Sequence, residues 1–233
     1  MLTIGFDADD TLWENETFFH LTQDDFVALL AGHADPDTIR ERLFATEVRN
    51  LELYGYGIKG FTLSMIQTAL ELTGGDLPGA SVARLLDLGQ QMLRHPVRLL
   101  PHVETTLAAL REHRLVLITK GDVLDQERKI AASGLATLFD RIEIVQHKTP
   151  QAYARILDRA RVRPADFMMI GNSMQSDILP VLELGGHAAL VPQQLAWAHE
   201  HADDPDDPRF ARLESLADLP ALVGRVQSSG TAV

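Results

Sequence analysis

The chain has 233 residues, 45% of them hydrophobic, a formal net charge of −12 and no cysteine. That is enough apolar material for one large domain or a domain with an inserted module. It excludes disulfides, thiolate metal sites and cysteine nucleophiles, and the acidic balance argues against a nucleic-acid polymer as partner. No apolar run reaches the roughly 18 residues of a membrane span. The N-terminus does not read as a signal peptide either, so a cytoplasmic protein with no membrane partner is expected.

The first element is Leu2 to Phe6, an apolar run that meets Asp7, Asp9 and Asp10, then Thr11, Leu12 and Trp13. It is too apolar for a half-exposed strand and suits a parallel sheet covered on both faces. From residue 15 to 96 there is no convincing strand. Phe26, Leu29 and Leu30 stand at helical spacing, and Asp35–Pro36 reads as an N-cap and first helical residue ahead of Ile39, Leu43 and Leu51. Phe61, Met65, Ala69 and Leu72 mark a third helix, stopped by Gly74–Gly75, and Val82, Leu85, Leu86 and Leu93 a fourth.

Beyond residue 96, helices alternate with short apolar runs. Helices are predicted over Pro101–His113, Val123–Ala132, Gln151–Ala160 and Met174–Leu184, the last kinked or cut short by Pro180. Strands are predicted over Leu115–Thr119, Ile142–Val145, Phe167–Ile170 and Ala188–Val191. His201–Pro208 reads as a loop, and 227–233 as a disordered tail. The expected fold is α/β, a Rossmann-like doubly wound parallel sheet over 1–14 and 97–226, with a helical domain inserted over 15–96.

In open parallel sheets, ligands bind at the carboxyl ends of the strands. There the sequence places Asp7, Asp9 and Thr11, then Thr119, Lys120, Gly121 and Asp122, then Lys148, then Asn172, Ser173 and Asp177. Singly each has an ordinary reading: a turn aspartate, a loop hydroxyl, a surface lysine, an exposed helix residue. Together they converge from four segments on one edge, where a divalent cation and a lysine can hold several carboxylates ionised.

In this order the motifs resemble those of the haloacid dehalogenase superfamily. DADDT is similar to its Asp-x-Asp-x-Thr motif, LVLIT to its second, Lys148 to its third and IGNSMQSD to its fourth, with Asn172 where many members have Asp. The insert resembles the family's C1-type cap. The resemblance implies a nucleophile at Asp7, a general acid and base at Asp9, and Mg²⁺ held by Asp7, the Asp9 backbone carbonyl and Asp177, with Asn172 as ligand or neighbour. It implies phosphate held by Thr119 and the N–H groups of Lys120 and Gly121, with Lys148 offsetting charge. Asp9, replaced in the dehalogenases, implies a phosphatase for a small phosphorylated metabolite, a nucleotide monophosphate or a sugar phosphate. The alternatives are a phosphomutase and a non-catalytic binding protein on the same fold.

Leu53–Phe61 (LYGYGIKGF) joins two helices of the insert. Tyr54 and Tyr56 there can flank a sugar or base and Lys59 can meet a second anionic group; the ordinary reading is a helix–helix turn with a solvated lysine. Trp13 reads as packing at the hinge, Asp122 as a helix cap. Faces of either domain remain available for a homodimer.

Overall fold

The computed structural model describes residues 1–193, 195, 197–200 and 202–230. It divides into two compact units, one of 1–14, 97–120 and 127–233, the other of 15–96 with 121–126.

The first unit is built on a sheet of six parallel strands. They are β1 (Thr3–Phe6), β2 (Arg114–Lys120), β3 (Arg141–Val145), β4 (Phe167–Gly171), β5 (His187–Leu190) and β6 (Phe210–Arg212), in the order β3-β2-β1-β4-β5-β6. Alternation along the strands divides the core. Ile4, Phe6, Leu115, Leu117, Met168 and Ile170 face α5 (Val103–Ala109) and α9 (Leu219–Gly230), while Val116, Ile118, Phe167 and Met169 face α7 (Pro150–Ala160). Gly5 is needed between them, since a Cβ there would run into Phe167 and Met169. β1 is therefore central and buried on both faces, as its apolar run requires.

The second unit packs α1 (Glu16–Leu30), α2 (Pro36–Tyr54), α3 (Ile58–Leu72) and α4 (Gly79–Arg94) around Phe26, Leu30, Ile39, Leu43, Phe61, Met65, Leu85 and Met92. Asp35 caps α2 as expected, accepting from the Thr38 N–H at 3.0 Å, with Pro36 in the first turn. Leu86 departs from expectation: α4 buries Leu85, Leu88, Gly89 and Met92, a face that leaves Leu86 exposed.

Several sequence expectations are corrected. The sheet has a sixth strand, β6, whose three residues are too short to show a period. The helix expected from Pro101 starts only at Val103, after His102 with φ of 67°, and ends at Ala109. Residues 227–230 are not a disordered tail. They continue α9, where Val226 packs on the core and Ser228 Oγ donates to the Gly224 carbonyl at 2.9 Å; 231–233 lie outside the described residues. Segment 121–126, expected in the core domain, groups with the helices, where Lys59 pairs with Asp122. No helix among the described residues is long and apolar enough to cross a membrane.

Candidate active site

The register of β1 places Asp7. Phe6 pairs with Leu117 on one side and Ile170 on the other, and the Asp7 N–H donates to the Ile170 carbonyl at 2.8 Å. The chain then turns back. The N–H groups of Thr11 and Leu12 both donate to the Ala8 carbonyl, and the Asp10 N–H donates to the Trp13 carbonyl at 2.8 Å. Asp10 takes the left-handed region, φ 58°, which aspartate tolerates better than most side chains. This turn breaks the strand's alternation directly after Asp7.

Three segments meet at Asp7: its own turn, the loop carrying Lys148, and the stretch from Asn172 to Asp177. The Lys148 ammonium donates to Asp7 Oδ1 and, at 2.7 Å, to Asp177 Oδ1. Thr11 Oγ1 donates to Asp7 Oδ2 at 3.2 Å. In the orientation that satisfies its amide, Asn172 donates to Asp7 Oδ2 at 3.2 Å and to the Asp9 carbonyl at 3.3 Å. Lys148 and Asp177 are each 1% exposed at the side chain, so the surface readings of both residues are overturned.

Two buried carboxylates here share one ammonium. Burial, together with the charges of Asp177 and Asp9, pushes the Asp7 carboxyl up to about 7 against the pull of Lys148. Burial alone would lower Lys148, but Asp177 and Asp7 outweigh it and hold the ammonium above the ordinary lysine range. The cluster is thus short of positive charge.

Asp177 follows Ser173, whose side chain accepts from the Ser176 N–H and starts a wide turn over Met174–Ile178 that runs into α8 (Leu179–Glu183). Its carboxylate accepts from the Ser173 N–H at 3.1 Å and lies against Gly171, where any Cβ would collide with it. Among the described residues no three His, Cys, Asp or Glu side chains converge as a metal cluster. The oxygen set implied above includes a backbone carbonyl and an amide, and it suits a hard cation. The excess of carboxylate over ammonium makes the fit good.

Thr119 is buried at the end of β2, followed by Lys120 and Gly121 (φ 141°). Tyr54 ends α2 with its ring exposed, and Tyr56 is half-buried. Lys59 is taken up by Asp122, 2.9 Å to both oxygens, and Asp122 also caps α6 (Val123–Ser133) by accepting from the Asp125 N–H. Burial opposes ionisation of Asp122, but Lys59 and that N–H hold its carboxyl below the ordinary range.

Sequence reasoning missed three residues. Lys129 binds Asp9. Tyr153, buried on α7, donates to the Ser176 carbonyl at 3.0 Å; burial and the charges of Asp177 and Asp7 keep it a phenol. Glu200 accepts from Lys120, Ser173 and, at 2.8 Å, Ser176. Burial would raise its carboxyl, yet Lys120 and the serines bring it below the usual range. None of the three stands in a motif, and Tyr153 alone carried a signal, an aromatic at a core position of α7.

Residues 1–185 match the family of haloacid dehalogenase-like hydrolases. The chain belongs to that family. It is 30% identical over 141 residues to N-acylneuraminate-9-phosphatase of Mus musculus and 29% over 131 residues to that of Rattus norvegicus. These alignments cover 56% and 52% of this chain, which spans about half the length of either relative, 54% and 50%. A haloacid dehalogenase-like family hydrolase from Xanthomonas campestris is 40% identical with a TM-score of 0.89, covering 98% of this chain and 93% of its own. L-2-haloacid dehalogenase from Xanthobacter autotrophicus is 18% identical with a TM-score of 0.67, over 96% and 98% of the two chains, and shares the fold.

Proposed function

We propose that this hydrolase is a phosphatase for a small phosphorylated metabolite, acting through an aspartyl-phosphate on Asp7. The observation that carries the reading is the buried Asp7 carboxylate held between Lys148 and Thr11, with a second acid, Asp9, two residues on. Asp7 attacks phosphorus as the ester oxygen leaves, and Asp9 supplies the proton that oxygen takes up. Asp9 then removes a proton from the water that attacks the phosphorus of the aspartyl-phosphate, returning Asp7 as carboxylate and releasing phosphate. Lys148 keeps Asp7 aligned and offsets negative charge on the transferring group, while Thr119 and the N–H groups of Lys120 and Gly121 hold phosphate oxygens. Asp7, the Asp9 carbonyl and Asp177 would hold Mg²⁺, with Asn172 as a further ligand or a neighbour, and the ion would supply charge neutralisation at the phosphoryl oxygens.

Tyr54, Tyr56 and Lys59 we assign to substrate selection, the helical unit serving as a cap. Sugar phosphates and nucleotide monophosphates are both candidate classes, and the names of the mouse and rat relatives add one compound to the panel. The test is phosphate release from a panel of sugar phosphates, N-acylneuraminate 9-phosphate included, and nucleoside monophosphates, with Mg²⁺ and with EDTA. Mg²⁺-dependent release that Asp7→Asn abolishes in folded protein is expected. Release that survives Asp7→Asn removes that residue from its role, and label passing to a sugar hydroxyl instead of water makes the enzyme a mutase.

A further inference from the structure

Asp9 is held from two directions. The Lys129 ammonium donates to both carboxylate oxygens, 2.7 Å to Oδ1 and 2.8 Å to Oδ2, and the Trp13 indole N–H donates to Oδ1 at 2.7 Å. Trp13 is fully buried in the sheet core, and Leu12 and Trp13 are tied to the segment after residue 96 by the Leu100 N–H and a bridge to Leu99. Lys129 comes from α6, whose neighbouring Ile130 packs in the same core. Its side chain is only 10% exposed, so this is no solvated lysine that happens to pass a carboxylate.

A carboxylate side chain on a turn has rotamers to choose among. Three charge-assisted or indole hydrogen bonds from two anchored donors leave Asp9 one place for its oxygens. General acid–base catalysis needs the carboxyl within hydrogen-bond reach of the oxygen it serves, and misplacement by about 1 Å costs on the order of 10²-fold. We infer that Lys129, with Trp13, is a positioning residue that sets where the Asp9 carboxyl stands for proton transfer. The inference rests on the phosphatase reading and on the role of Asp9 within it.

The test compares two esters. An aryl phosphate has a good leaving group and needs little protonation, whereas an alkyl phosphate needs much. Lys129→Met keeps most of the side chain's length and an apolar stem while removing the donor. Its kcat should fall about 10²-fold on the best alkyl ester of the panel but less than about 10-fold on the aryl ester, with KM moving less than about twofold on either. Trp13→Phe should show the same split to a lesser degree, and Lys129→Arg, which restores a cation and N–H donors, should recover most of the alkyl rate. Thermal unfolding and circular dichroism establish that each variant is folded; should Lys129→Met not fold, Trp13→Phe and Lys129→Arg carry the comparison.

An equal loss on both esters, or a gain on the alkyl ester, overturns the positioning role while wild-type turnover leaves the phosphatase intact. Wild-type protein that releases phosphate from neither ester overturns both.

Discussion

At the end of the sheet, Lys148 is 1% exposed and lies between Asp7 and Asp177; at the α2–α3 joint, Lys59 is 53% exposed and lies on Asp122. Both are lysines with carboxylates at hydrogen-bonding distance, yet their surroundings give them different weight. Around Lys148 water is excluded, the carboxylates outnumber the cation, and loss of one partner strands the others in a low dielectric. Around Lys59 water competes with Asp122 at every moment and screens the pair. The first pair is a condition for the site; the second is an adjustable surface contact.

The largest break in this contrast is Lys148→Met. Measured in EDTA by denaturant unfolding, it should cost about 3–5 kcal/mol, because two buried carboxylates lose their counter-charge. In Mg²⁺, kcat should fall at least about 10²–10³-fold. A cost below about 1 kcal/mol would mean that the lysine is no more coupled than a surface one.

Gly171→Ala comes next. The added methyl meets the Asp177 carboxylate, so overpacking should cost about 1–3 kcal/mol and displace one of the proposed metal ligands. The readout is the Mg²⁺ concentration for half-maximal rate, which should rise while activity at saturating Mg²⁺ largely returns. An unchanged Mg²⁺ titration would take Asp177 out of the ligand set.

Lys59→Met should be the mildest, about 0.5 kcal/mol at neutral pH. Its pH dependence has a definite sign. The Asp122 carboxyl lies below its ordinary 3.8 in the folded protein, so the pair's contribution is present above 3.8 and disappears as pH falls through the depressed value. The wild-type and Lys59→Met unfolding curves should therefore converge in acid. Aryl-phosphate turnover should hardly change while the ranking of natural substrates does; a uniform loss on all substrates would move Lys59 from selection to folding.

The sequence was most legible where the same pattern recurred. Each apolar run ending in a polar, chemistry-bearing residue is a parallel strand ending at the sheet's carboxyl edge, so Asp7, Lys148 and Asp177 could be placed together, and Thr119 on the same edge, without coordinates. The helical insert was legible for a similar reason, since Asp35–Pro36 and Gly74–Gly75 punctuate long periodic stretches. Legibility failed where a residue's meaning depends on a distant partner. Lys129 stands in QERK, a charged run that reads as a solvated helix face, and only its approach to Asp9 shows otherwise. Glu200 belongs to a loop without period, and its role depends on Lys120 and on the serines beside Asp177. Trp13 was recognised as packing, but its indole proton was not matched to Asp9. In 227–230, serines and glycine suggested a tail, and Val226 docking on the core decided for helix.

The position of β1 carries a kinetic consequence. Thr3 is paired with Arg114 on one flank and with Phe167 on the other, so β1 is completed only by segments far along the chain. The insert, by contrast, closes on contacts among neighbouring helices. Loops of that length must be closed before their contacts return any free energy, which makes such pairings slow. Refolding should accordingly be biphasic, with helical signal returning first and the Asp7–Lys148–Asp177 cluster, with any activity, returning in the slower phase set by capture of β1 between β2 and β4.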